Sequence, residues 1–271
     1  MIQLLSPPEN SDFLKLCSKL GASQVVSLIG AGGKTSTLFW LAHALGRCGL
    51  RVLVTTTTHM YLPDPGAVMR CIIEADLARR VDASKNDGGG GIVACFSAFD
   101  EQTGKVSGCL PEEVEQFKKA GVADVILVEA DGARHCALKV PGEHEPCIPG
   151  CSDVVIAISG GEAMLRPADP QRIHRWPLFS ALGEVAAGAL LDQCVFDRLL
   201  SHPQGILKGV PERAERHWLI NGNCHDQALV EMLQSLAGAH DELDGVWLGN
   251  MRQEHPFTRA WLRRRSDEQE L

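Results

Sequence analysis

The chain has 271 residues, 45% hydrophobic and 22% charged, a balance that supports one large α/β domain over 1–271 and excludes a disordered chain. Its 26 Lys and Arg against 34 Asp and Glu leave a net charge of -8, which argues against nucleic acid or an anionic membrane as a partner. No apolar run approaches the roughly 18 residues of a bilayer span. Residues 1–8 lack a leader pattern, and the ten scattered cysteines read as reduced thiols, so a cytoplasmic location is expected.

Ser11 is placed to cap a short helix with Phe13, Leu16, Cys17 and Leu20 on one face, closed by Gly21. Residues 25–29 form an apolar run of strand length that feeds Gly30-Ala31-Gly32-Gly33-Lys34-Thr35-Ser36. Leu38, Leu41, Ala42 and Leu45 then recur at helical spacing, up to Gly46 and Gly49. Residues 51–54 predict a second buried strand, ending in Thr55, Thr56, Thr57 and Thr58. Strand, glycine loop, helix and strand make a βαβ unit, which implies a parallel sheet covered on both faces. Residues 87–91 read as a flexible link, and 92–99 with 105–110 as a hairpin around 100–104. Pro111 opens a helix to about Ala120, and the strand at 124–128 runs into Glu129-Ala130-Asp131-Gly132. Strands are expected at 154–158, 218–220 and 246–248, and helices near 178–200 and 226–237. The fold class predicted is a P-loop NTPase-like three-layer α/β fold with a mostly parallel central sheet. A hairpin insertion at about 86–110 and a fraying charged tail at about 262–271 complete it.

The strongest chemical signal is the loop 30–36. Glycines let successive backbone N–H groups turn toward a phosphate, and the following helix adds its positive N-terminal end. Gly30, Ala31, Gly32, Gly33, Lys34, Thr35 and Ser36 are therefore candidates for binding ATP or GTP. Lys34 would reach the β- and γ-phosphates, and the Thr35 hydroxyl would ligate Mg²⁺. Leu28 stands where the strict eight-residue pattern wants glycine, which leaves the shorter G-x-x-G-K-T form. Glu129 and Asp131 are the candidate acids on the metal side, one of them free to orient a water or substrate. The bland alternative has Asp131 capping a turn and Glu129 paired with a base. Thr57 and His59, at the edge of the second strand, could face the γ-phosphate; threonines also simply suit a strand.

Residues 30–36, the threonines 55–58, and above all Glu129-Ala130-Asp131-Gly132-Ala133-Arg134 followed by Lys139-Val140-Pro141-Gly142-Glu143-His144-Glu145-Pro146 resemble the YqeC family over roughly residues 12–250. The resemblance implies an accessory protein in maturation or insertion of a selenium-containing molybdenum hydroxylase cofactor, with that cofactor or its client hydroxylase as partner. The loop also resembles those of dethiobiotin synthetase, the nitrogenase iron protein, metal-insertion GTPases and Mur-type ligases. In GTPases of this class N-K-x-D reads guanine. Here Asn221 is in place, Gly222 and Cys224 replace the Lys and Asp, and Asp226 comes two residues late, so ATP and GTP both stay open.

Arg134, Lys139 and His144 could form a basic, proton-carrying lip above the γ-phosphate, with Lys34, Asp131 and His144 as the catalytic candidates; a solvated loop fits the same residues. Arg166, Arg172, Arg175 and Trp176 form a second basic cluster able to clamp a nucleotide-like cofactor, or an ordinary helix start. Cys147 and Cys151 make one Cys-x-x-x-Cys pair, a weak metal or thiol signal. Two other functions fit the same motifs. One is a small-molecule kinase or ATP-dependent ligase in which Asp131 or His144 activates an acceptor; the other is a non-hydrolysing scaffold.

Overall fold

A computed structural model describes residues 2–6, 8–17, 23–85, 90–224 and 226–263. In chain order it holds β1 (Ile2–Leu5), α1 (Asn10–Cys17), β2 (Gln24–Gly30), α2 (Lys34–Arg47), β3 (Arg51–Thr56), β4 (His59–Tyr61), β5 (Arg70–Ile73), α3 (Leu77–Ser84), β6 (Gly91–Phe96), β7 (Ala98–Asp100), β8 (Lys105–Ser107) and α4 (Pro111–Ala120). There follow β9 (Val125–Glu129), β10 (Leu138–Lys139), β11 (Val154–Gly160), β12 (Ile173–His174), α5 (Trp176–Gly183), α6 (Gln193–Ser201), β13 (Glu215–Asn221), α7 (Gln227–Ala239), β14 (Gly245–Gly249) and β15 (Phe257–Arg263).

Ten of these strands form one sheet in the order β1-β15-β14-β13-β11-β2-β9-β3-β6-β5. Every pairing from β14 to β5 is parallel, and β15 runs antiparallel to β14 and β1. Such strands must be apolar on both faces, and β9 and β11 are buried at every position. One face packs against Leu38, Leu41 and Leu45 of α2 and Phe13 of α1. The other packs against Phe117 of α4, Phe196 of α6 and Leu233 of α7. The result is a three-layer, mostly parallel α/β architecture.

From β2 the chain moves to one side of the sheet through β3, β5 and β6. It returns as β9 beside β2, then crosses to the other side through β11, β13 and β14. The strand order reverses at β2, and an open parallel sheet leaves a crevice for ligands at the carboxyl ends of the strands at that point.

Several expectations are corrected. Residues 91–96 are not hairpin but β6, paired in parallel with β3 and β5. The continuous buried run Ile92, Val93, Ala94, Cys95, Phe96 is the mark of a doubly covered strand. At Ser97 the hydroxyl donates to the Ser107 and Gly108 carbonyls, and the chain turns into the true hairpin of β7 and β8, extended by β4. The helix expected near 178–200 is two helices. Glu184 ends α5 in the left-handed region (φ 48), and the Asp192 side chain caps α6 by accepting from Val195 N. Helix α1 begins at Asn10, so Ser11 lies inside it. Leu262 and Arg263 belong to β15, not to a fraying tail. Leu20, Gly21, most of the 87–91 link and residues 264–271 lie outside the described residues.

Candidate functional site

Residues 31–33 make the whole connection from β2 to α2, and the loop with Gly30 before it divides in two. Its first three N–H groups are spent within the protein: Gly30 N donates to Asp131 Oδ2 (3.0 Å), Ala31 N to the Ile158 carbonyl (2.9 Å) and Gly32 N to the Cys136 carbonyl (3.1 Å). The N–H groups of Gly33, Lys34, Thr35 and Ser36 have no protein acceptor among the described residues, as the first turn of a helix requires. They sit at the positive end of α2 and form an anion seat. Two glycines are dictated by packing as well as by φ. A Cβ at Gly32 (φ 86) would lie 2.4 Å from Gly160 N, and one at Gly33 (φ 125) would lie 2.2 Å from Asn221 Nδ2.

Beside the seat runs a line of alternating charges. Lys34 Nζ donates to the Gly30 carbonyl (2.5 Å) and stands 3.1 Å from Asp131 Oδ1. Asp131 is 0% exposed, and its Oδ2 is 2.9 Å from Lys139 Nζ. Lys139 also reaches the Gly132 carbonyl (2.7 Å) and Glu145 Oε2 (2.8 Å), and Arg175 closes on Glu145 Oε1 at 2.7 Å. Burial pushes the Glu145 carboxyl up, but Lys139 and Arg175 outweigh it and hold the group below its ordinary value. Lys208 braces the same loop through the carbonyls of Gly142 and Glu143.

Glu129 differs from its neighbour. It is buried, accepts a hydrogen bond from Thr35 Oγ1 at 2.9 Å, and makes no ion pair among the described residues. Burial therefore raises its carboxyl above the ordinary value, against the pull of Lys34 and Thr35. A buried carboxylate without a counter-ion, touching a hydroxyl at the anion seat, fits a cation such as Mg²⁺. The described residues contain no metal-binding group of three or more His, Cys, Asp or Glu. Mg²⁺ held by one hydroxyl, one carboxylate, phosphates and waters needs none.

The remaining predicted residues fall elsewhere. Asp131, expected on the metal, is committed to two ammonium groups and Gly30 N, because burial forces a carboxylate to take its counter-ions from the protein. Lys139 lies inside this network, so the expected basic lip does not form; Arg134 and His144 are exposed. The Arg175 of the second basic cluster is taken by Glu145, and Arg172 lies 3.7 Å from Glu162. Thr57 is drawn off the site: its hydroxyl donates to the Cys147 carbonyl at 2.7 Å. His59 is exposed on β4. Asn221, expected to read the base, is a strut. Its Nδ2 donates to the Gly32 carbonyl (2.7 Å) and its Oδ1 accepts from Met251 N (2.9 Å). Asp226 caps α7. Cys147 and Cys151 carry free thiols raised by burial. Glu145 and Arg175 were not read as partners from sequence; the alternating charges at 131, 139 and 145 were the available sign.

Together these features define a mixed α/β protein with a glycine loop and an open helix N-terminus at the reversal point of its sheet. The family model described as YqeC protein matches residues 26–177, from β2 to the start of α5, which includes the seat and the whole charge line. A relative from Escherichia coli (strain K12), described as "Uncharacterized protein YqeC", is 42% identical over 244 residues, covering 88% of this chain and 92% of the relative. No solved structure matches the chain. The chain belongs to the YqeC family. No helix among the described residues is long and apolar enough to cross a membrane.

Proposed function

We propose that the chain binds the Mg²⁺ complex of ATP or GTP as a P-loop NTPase-like protein, and serves as an accessory factor in maturation or insertion of a selenium-containing molybdenum hydroxylase cofactor. The observation that carries the nucleotide reading is the Thr35–Glu129 contact set at a helix mouth with four unpaired N–H groups. In this reading residues 33–36 hold the β-phosphate through backbone N–H groups, and Lys34 turns from Asp131 toward the γ-phosphate. Thr35 and Glu129 would hold Mg²⁺, which supplies charge neutralisation to the phosphates when bound. Asp131 keeps Lys34 in reach and acts through it, so it is a positioning residue. The client's identity rests on the family resemblance and not on this geometry.

The test is a thermal-shift and calorimetric titration of the whole chain with Mg·ATP and Mg·GTP. A ligand at 100 times its Kd stabilises the folded chain by about 2.7 kcal/mol, and Lys34→Ala should weaken binding at least a hundredfold. A Kd in that variant within twofold of wild type removes the phosphate seat. Turnover that fails to rise when a selenium-dependent hydroxylase is added removes the accessory role.

A further inference from the structure

A shallow, open cleft of about 420 Å³ begins beside the anion seat at Ser36 and runs along α2 to Arg47. One wall is a stripe of α2 (Ser36, Phe39, Trp40 and His43), residues three, four and seven apart on one helix face. The other wall, residues 251–254 between β14 and β15, brings Arg252 and Glu254. Ser36 belongs to both features: it ends the run of unpaired N–H groups and begins the cleft wall. Two other directions from the seat are taken up by protein contacts. Toward β9 and β3 stand the Thr35–Glu129 contact and Thr57, held to Cys147. Toward β11 and β13, Gly160 and Asn221 pack directly on Gly32 and Gly33.

We infer that this cleft receives the nucleoside half of the nucleotide and that its base is a purine lying against Phe39 and Trp40; this deepens the nucleotide reading above and rests on it. Two adjacent half-buried aromatic side chains offer a bicyclic base more stacking surface than a single ring can use. The carboxylate of Glu254 and the guanidinium of Arg252 supply an acceptor and donors along the opposite wall. Asn221 sets the width of the cleft instead of reading the base, since its amide ties residue 251 to the glycine loop.

Calorimetry with the Mg²⁺ complexes of ATP, GTP, CTP, UTP and inorganic tripolyphosphate tests the assignment on the whole chain. Trp40 packs edge-on against Phe257, so the variant of choice is Phe39→Ala, which breaks no ring contact, with Arg252→Ala on the exposed loop as a second. Purine nucleotides should bind at least tenfold tighter than CTP, UTP or tripolyphosphate. Phe39→Ala should erase that advantage and leave tripolyphosphate binding unchanged. Equal affinities for all five ligands, or a purine advantage that survives both variants, overturns the cleft while the phosphate seat stands. Purine binding lost in Phe39→Ala but untouched by Lys34→Ala upholds the cleft and sinks the phosphate seat. No binding of any ligand overturns both.

Discussion

The two flanks of the glycine loop are built on opposite terms. On the side of β9 each charge has a partner, from Lys34 through Asp131, Lys139 and Glu145 to Arg175, with Asp131 and Lys139 sealed from solvent. On the side of β14 there is an open cleft with the aromatic surface of Phe39 and Trp40. Charges removed from water must be neutralised within the protein, so the first flank is paired charge to charge, although Asp131 Oδ1 and Arg175 Nε make no hydrogen bond there. Glu129 differs from the rest of that flank: it is a buried carboxylate that makes no ion pair among the described residues, with Lys34 pulling on it from farther off.

The sharpest way to break the contrast is Asp131→Asn. It leaves Lys34 without an anion and Lys139 with Glu145 alone. Losing one partner of a buried pair costs about 3–5 kcal/mol, to be read from urea denaturation of the variant beside wild type. A loss under about 1 kcal/mol would mean that the charge line behaves as a surface pair and that the closed flank is not closed.

Next in size is Glu129→Gln, which should weaken the Mg²⁺ dependence of nucleotide binding by about tenfold or more, as loss of a metal-supporting carboxylate does. It also carries a pH signature. The fold raises this carboxyl above its ordinary 4.5, so the folded chain holds the proton more tightly than the unfolded one. Metal-free wild type should therefore lose stability as pH rises from about the ordinary glutamate value through the raised one. The Gln variant should lose less across that window, and Mg·nucleotide should offset the loss in wild type. Thermal denaturation at stepped pH measures it; identical slopes for the two proteins would deny Glu129 its unmet charge.

The smallest effect is expected of Asn221→Ala. Two hydrogen bonds disappear, at a net cost of about 1 kcal/mol each. With them goes the tie between residue 251 and the glycine loop, so the purine advantage should shrink severalfold while tripolyphosphate affinity holds. A change in tripolyphosphate affinity alone would place Asn221 with the phosphate seat and not with the cleft.

Local pattern determined much of this protein. The apolar run at 25–29, the glycines and the spacing of Leu38, Leu41, Ala42 and Leu45 specify strand, turn and helix through contacts within a few residues, and β2 and α2 stand there. The acids at the end of β9 were expected beside the glycine loop, and both stand there, brought by the pairing of β9 with β2. Which acid does what was not legible, because Glu129 and Asp131 lie two residues apart and differ only in what folds against them. Thr35 meets Glu129 across 94 residues of sequence, and Asn221 meets Gly32 across 189. Only tertiary packing decides such encounters, since burial makes each polar group find whatever partner the neighbouring strands bring. It seals Asp131 between two lysines, leaves Glu129 with no ion pair among the described residues, turns Asn221 from a reader into a strut and opens the cleft beside Ser36.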